Sequence, residues 1–276
     1  MQLRTMSHFD SHRKMPWVIF QSAGWISFNQ RQHSCDQGDA PRCVTSPLLA
    51  NIYLHYLLDL WARQWRERHA RGDVIVVRYA DDSVVGFRTK VQAQQFLVQL
   101  QERLARFGLS LNASKTRLIE FGRFAVTNRR KRGLRKPETF DFLGFTHCCS
   151  VSRRGDFQVL RLTVKKRMRA TLLAIREELS RRRHDLVRVQ GQWLKRVVSG
   201  SFNYHAVPGN LIRLGGFRLA VCRLWRQALK RRSQRNRLQW SRYGRLADLY
   251  IPRPRNAHPY PEYRFASHTR GRSRMR

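Results

Sequence analysis

The stretch VVRYADDSVVGF, Val76 to Phe87, constrains this chain more than any other. Two aliphatic runs flank a pair of aspartates, which predicts a strand hairpin buried on both faces with Asp81 and Asp82 at its turn. Adjacent carboxylates at such a tip repel each other, and desolvation raises the cost, so they require a compensating cation. Mg²⁺ suits the position because it takes one or two carboxylates plus substrate phosphates. A pair of such ions about 4 Å apart stabilises both oxygens of an in-line phosphoryl displacement. Taken alone, the two residues also fit an ordinary solvent-facing Asp-Asp turn.

Acid is scarce elsewhere. Lys and Arg number 55 against 18 Asp and Glu, a net charge of +37. Such a surface repels itself unless it meets a polyanion, which makes nucleic acid the leading partner. The 276 residues, 42% of them hydrophobic, suffice for one sizeable core or two small ones. No run is long enough to span a bilayer and the start does not read as a signal peptide, so the expectation is a cytoplasmic protein without a membrane partner. Cys35, Cys43, Cys148, Cys149 and Cys222 form no CxxC pair and read as reduced thiols, neither a disulfide framework nor a zinc knuckle.

Residues 1–36 show no lasting period and receive no fold. From Ser46 the pattern becomes helical. Ser46 suits a cap and Pro47 a first helical position, and Leu48, Leu49, Ile52, Tyr53, Tyr56, Leu57, Leu60 and Trp61 recur at helical spacing to about Arg66. After the aspartate hairpin, Phe96, Leu97, Leu100 and Leu104 mark a second helix stopped at Gly108, and Leu109–Phe121 reads as extended chain. Phe124–Lys136 reads as a basic loop, and Thr139–Phe145 and a segment ending at Val164 read as strands. Arginine-rich amphipathic helices follow at Lys165–Arg183, Gln190–His205 and Leu211–Arg237, and the chain beyond is expected to be irregular. The fold class is therefore α+β followed by a basic all-α module.

YADD between two aliphatic strands resembles the palm motif of reverse transcriptases, and its neighbours keep that family's order. SPLLANIYLHYLLDLW (Ser46 to Trp61) resembles the helix after the family's PQG-type turn, LSLNASKTRLIEFGR (Leu109 to Arg123) its lysine-bearing motif, and FDFLGF (Phe140 to Phe145) its primer-grip hairpin. WLKRVVSGSFNYHAVPGN (Trp193 to Asn210) and HPYPEYRF (His258 to Phe265) are similar to the thumb-like maturase region and the C-terminal end of group II intron-encoded reverse transcriptase/maturases. The resemblance implies a partial palm over 37–150, a thumb/maturase helical domain over 165–237 and a basic irregular tail over 238–276. It implies Mg²⁺ on Asp81, supported by Asp82, and RNA, both intron RNA and primer-template, as the partner.

Further roles are carried over by match. Lys115 becomes a proton donor or charge stabiliser at the nucleotide phosphates, against the plainer reading of an exposed lysine opening a strand. Phe140, Leu143, Gly144 and Phe145 fit a primer grip that also serves as core, and Tyr79 sits beside the nucleotide or simply packs. Lys195, Arg196, Arg226, Lys230, Arg231 and Arg232 would contact RNA phosphates, with Trp225, Trp240 and Tyr243 offered for stacking.

Two departures matter. The family carries a further metal-binding aspartate on an earlier palm strand, and too little sequence precedes Ser46 to hold that whole segment; Asp10, in HFDSH, reads as a surface residue. The turn before Ser46 is APRCVTSP, with Pro41, Arg42 and Cys43 where the family has glutamine and two glycines, and Gln37 and Gly38 stand out of register. The expectation is a truncated or decayed copy, or the C-terminal half of a protein whose N-terminal half is separately encoded. On its own it should polymerise poorly, or serve as a non-catalytic intron-RNA-binding splicing factor.

Overall fold

The computed structural model describes residues 17–21, 45–152, 154–232 and 239–260, with side chains from residue 48 onward. The altered turn at 40–47, Asp10, Cys35 and Cys43 fall outside the residues whose side chains are described.

Strand β1 (Trp17–Gln21) is followed by helix α1 (Thr45–His69), and then by the hairpin β2 (Ile75–Tyr79) and β3 (Asp82–Phe87). Helix α2 (Lys90–Arg106), strand β4 (Thr116–Glu120) and helix α3 (Ala125–Lys131) complete this region. β1 to β4 form one sheet in the order β2-β3-β1-β4, and β1 runs antiparallel to both its neighbours. Five residues of the segment left without a fold in the sequence reading are thus an inner strand of the sheet. Their partners explain why periodicity missed them: a strand paired on both edges is fixed by its neighbours' ladders rather than by its own alternation.

α1 and α2 cover the sheet through one aromatic-rich core. Trp65, Phe87 and Phe96 pack with ring centroids 5.0 to 6.0 Å apart, surrounded by Leu54, Leu57, Leu58, Ala62, Leu100 and Leu104. This corrects the stripe expected for α1. Leu48, Leu49, Ile52, Tyr53, Tyr56 and Leu60 are exposed among the described residues, while Leu54, Leu58, Ala62 and Trp65 are buried. A widened π turn at His55–Asp59 interrupts the helical repeat, so the buried face after it does not continue the regular period of the residues before it.

α3 corrects a second expectation, since Phe124–Lys136 is not all loop. Its last turn carries Arg129, Arg130 and Lys131, cations suited to a helix C-terminus. It is tied to the sheet by buried Glu120 on β4, which accepts from Asn128 at 2.8 Å and pairs with Arg132.

Strands β5 (Phe140–Phe142), β6 (Phe145–Val151) and β7 (Phe157–Thr163) make a second sheet in that order. Four helices follow: α4 (Lys165–Arg181), α5 (Val187–His205), α6 (Leu211–Lys230) and α7 (Trp240–Tyr250). α7 lies where an irregular tail was expected from residue 238. The chain divides into two compact units, Met1–Leu143 with Cys148–Val159 and Gly144–His147 with Leu160–Arg276.

The helical unit closes on Trp225 and Tyr243, both with no exposed surface. The Trp225 indole donates to Gln190 Oε1 at 3.0 Å, and the Tyr243 hydroxyl donates to the Cys222 carbonyl at 2.6 Å, so each buried polar atom is satisfied. Burial holds the Tyr243 hydroxyl far above the ordinary phenol range and raises the Cys222 thiol. Among the described residues no disulfide joins Cys148, Cys149 or Cys222, and burial pushes Cys149 up to about 11. α5 and α7 approach at Gly191, where a Cβ would stand 2.5 Å from the Tyr250 ring. No helix among the described residues is long and apolar enough to cross a membrane.

Candidate functional site

The hairpin between β2 and β3 closes over two residues, Ala80 and Asp81, because Tyr79 pairs with Asp82. Ala80 sits at φ +53, a left-handed conformation that costs a residue with a Cβ roughly 1–2 kcal/mol. Arg78 holds it there. Its guanidinium donates to the Ala80 carbonyl at 2.9 Å, to Asn51 Oδ1 at 3.1 Å, and to both Asp59 oxygens at 2.8 and 2.7 Å. The two-pronged ion pair joins the turn to the π segment of α1, and the Arg78 side chain is only 11% exposed. A widened turn and a strained residue, otherwise unfavourable, thereby support each other next to the aspartates.

Asp81 and Asp82 are both half-buried, Ser83 behind them is buried, and Tyr79 is 52% exposed. Strand register fixes what shares this end of the sheet. β1 ends at Gln21, which pairs with Ser83 of β3 on one side and Thr116 of β4 on the other. Lys115 immediately precedes Thr116, so it lies at the same end as the aspartates, two strand spacings or about 10 Å across. Its backbone is set by a turn in which the Lys115 and Thr116 amides donate to the Asn112 carbonyl at 3.1 and 3.0 Å. The Asn112 side chain accepts from the Ser114 amide and hydroxyl, and the Lys115 side chain is exposed. The sheet therefore brings Tyr79, Asp81, Asp82 and Lys115 to one edge, with the end of β1 between them.

Two carboxylates at a turn fit one Mg²⁺ that completes its shell with water and substrate phosphates. Among the described residues no group of three His, Cys, Asp or Glu side chains is placed to hold a metal, and the sequence WVIFQ of β1 contains no carboxylate.

The primer-grip candidates divide. Phe140 and Phe142 are core, Phe140 stacking edge-on against Phe121 at 5.0 Å. Leu143 and Gly144 have φ of +48 and +79, the two left-handed residues of a tight two-residue hairpin turn. Phe145 lies against Tyr204 and His205 at 5.6 and 5.3 Å. In the helical unit Lys195, Arg196, Lys230 and Arg231 are exposed. Arg226 instead lies 4.3 Å over the Trp240 ring, and Arg232 donates to the Arg183 and Asp185 carbonyls. Trp225 and Tyr243 are core and unavailable for stacking; Trp240 is 52% exposed. Sequence reasoning missed Arg78, Asp59 and Asn51. The signal was present, because a lone arginine inside an otherwise aliphatic strand needs a buried partner.

A paired-aspartate hairpin in an antiparallel sheet covered on one side by two helices, with a lysine at the same edge, defines the palm of a nucleic-acid polymerase. The family model described as reverse transcriptase (RNA-dependent DNA polymerase) matches residues 8–147, half of the chain. No curated protein matches it. The chain belongs to the reverse transcriptase family, whose members bind template and primer and generally use divalent metal ions.

Proposed function

We propose that this chain is an RNA-binding member of the group II intron-encoded reverse transcriptase/maturase type, acting in the cytoplasm, whose palm alone performs nucleotidyl transfer weakly if at all. One observation carries the impairment: the strand beside the aspartate hairpin, Trp17–Gln21, contains no carboxylate. Asp81 and Asp82 would hold Mg²⁺, which supplies charge neutralisation at the nucleotide phosphates. Lys115 would neutralise or protonate a phosphate oxygen from the same edge, and Tyr79 would face the nucleotide. Phe140, Leu143, Gly144 and Phe145 would form the primer-side hairpin. If these carboxylates held one ion rather than two, the attacking and leaving oxygens would not both be stabilised, and loss of one member of such a set removes most of the rate.

The charge surplus supports RNA binding whatever the palm does, so a non-catalytic intron-RNA-binding factor is the second reading. A separately encoded N-terminal half is the protein partner this reading allows. Primer extension on an RNA template with Mg²⁺ and the four deoxynucleotides, alongside filter retention of the RNA, tests both readings. Retention with no extension in either the wild type or Asp81→Ala is the expected outcome. Extension that vanishes in Asp81→Ala would overturn the impairment, and absence of RNA retention would overturn the RNA-binding reading.

A further inference from the structure

In the helical unit, a groove between the C-terminal turns of α4 and α6 is lined by Arg176, Arg183 and Arg231, with Ser180, Gln227 and the apolar floor of Leu179, Leu224 and Ala228. We propose that this groove is a phosphate site for the RNA backbone. The inference rests on the RNA-binding reading and gives it an address.

The lining includes no carboxylate. Three acids lie near this corner: Glu178 pairs with Arg181 and Arg182, Asp185 lies 3.9 Å from Arg182, and Glu177, next to Arg176 in sequence, is exposed and does not line the groove. None of the three lining guanidiniums forms an ion pair among the described residues, and Arg183 only reaches Ser180 Oγ at 3.5 Å. Two helix C-termini meet here, each equivalent to about −0.5 charge, so three guanidiniums keep a positive surplus of about +1 even with the exposed Glu177 carboxylate counted against them. An oxyanion relieves that repulsion, and planar guanidinium forks match phosphate oxygens. The hydroxyl of Ser180 and the amide of Gln227 add neutral donors of the kind that contact phosphate. The groove encloses about 130 Å³, enough for several waters at about 30 Å³ each and so for one phosphate group.

The palm offers a contrast. Its pocket beside α1 is also lined by three arginines, Arg63, Arg66 and Arg78, but Asp59 is among them and already occupies Arg78. That pocket is an ion-pair site; the groove on α4 and α6 has the same cations without the acid.

The test uses the full chain and a fluorescein-labelled RNA hairpin, with affinity followed by anisotropy from 50 to 200 mM salt. Arg176→Gln with Arg231→Gln should weaken binding about tenfold near physiological salt and flatten the slope of log K against log salt by about one, the signature of one lost phosphate contact. Arg242→Gln with Arg245→Gln on α7 removes the same charge from exposed positions elsewhere in the unit and should change affinity less than about twofold. Equal losses in the two pairs would mean a diffuse field and overturn the site. Wild-type affinity in the groove pair would overturn it while leaving RNA binding intact, whereas a wild type that binds no RNA would overturn the underlying reading as well. Groove-dependent protection by inorganic phosphate, without any variant effect on RNA, would reassign the groove to a free phosphate. Circular dichroism checks folding, and the single change Arg176→Gln serves if the pair unfolds.

Discussion

The two units both pair arginines with acids, but they differ in how much arginine closes backbone carbonyls far away in sequence. In the palm, arginines meet acids: the mostly buried Arg78 grips Asp59, and the exposed Arg132 meets the buried Glu120. In the helical unit Arg181 and Arg182 also meet Glu178, and Arg218 and Arg253 meet Asp248, but several guanidiniums close backbone carbonyls instead or as well. Arg213 donates to Thr163 O at 2.7 Å, Arg218 to Ile251 O and Pro252 O at 3.2 to 3.3 Å, and Arg232 to two carbonyls at the α4–α5 connection. A guanidinium paired with a carboxylate is locally neutral, whereas one bonded to a carbonyl keeps its full charge. The palm thus fixes the shape of its aspartate hairpin by ion pairing, and the helical unit obtains structural hydrogen bonds while remaining strongly cationic.

Variants can break this comparison. The largest effect is expected from Trp225→Ala, which empties the centre of the helical core and leaves Gln190 Oε1 without its indole donor. About 4 kcal/mol should be lost in urea unfolding of that unit, and a near-neutral result would mean the indole is not core. Arg78→Ala removes one partner of a mostly buried pair and frees a strained turn. Roughly 3 kcal/mol should disappear from palm stability, and Asp59→Asn/Arg78→Ala should recover part of it. Gly191→Ala forces a methyl into the Tyr250 ring and should cost about 2 kcal/mol, read as a lower thermal midpoint with increased amide exchange in α7.

The smallest effect is a pH dependence. Burial, reinforced by the Arg167 charge, holds the His205 imidazole below its ordinary value. The unfolded chain therefore binds the proton more readily than the folded one. Helical-unit stability should be full above about pH 6.5 and fall as pH drops through and below that value. His205→Gln should flatten the decline; an unchanged slope would place its origin in other groups.

Much of the site was legible without coordinates. Val74–Phe87 read as a buried hairpin from its aliphatic runs, while its paired aspartates and Lys115 kept a plain reading, a solvent-facing turn and an exposed lysine, beside the metal one. The helices of the basic module were readable from their stripes. What escaped were features whose cause lies far away in sequence. β1 is a strand because β3 and β4 flank it, and α7 is a helix docked by Tyr243 and Ala247 into a core built by α5 and α6. Trp225 and Tyr243 looked suited to stacking on RNA because sequence gives an aromatic's position on a helix but not what faces it.

The sequence by itself therefore determined the palm hairpin, the family motifs and the cationic character, each a matter of local pattern or composition. Only tertiary structure decided that a π turn interrupts α1, that Arg78 clamps Ala80, and that Gln21 ends the strand beside the aspartates. It also decided which arginines remain without acids. The physical reason is common to all four: register, face and charge pairing depend on residues brought together by packing, and neither period nor composition encodes that distance.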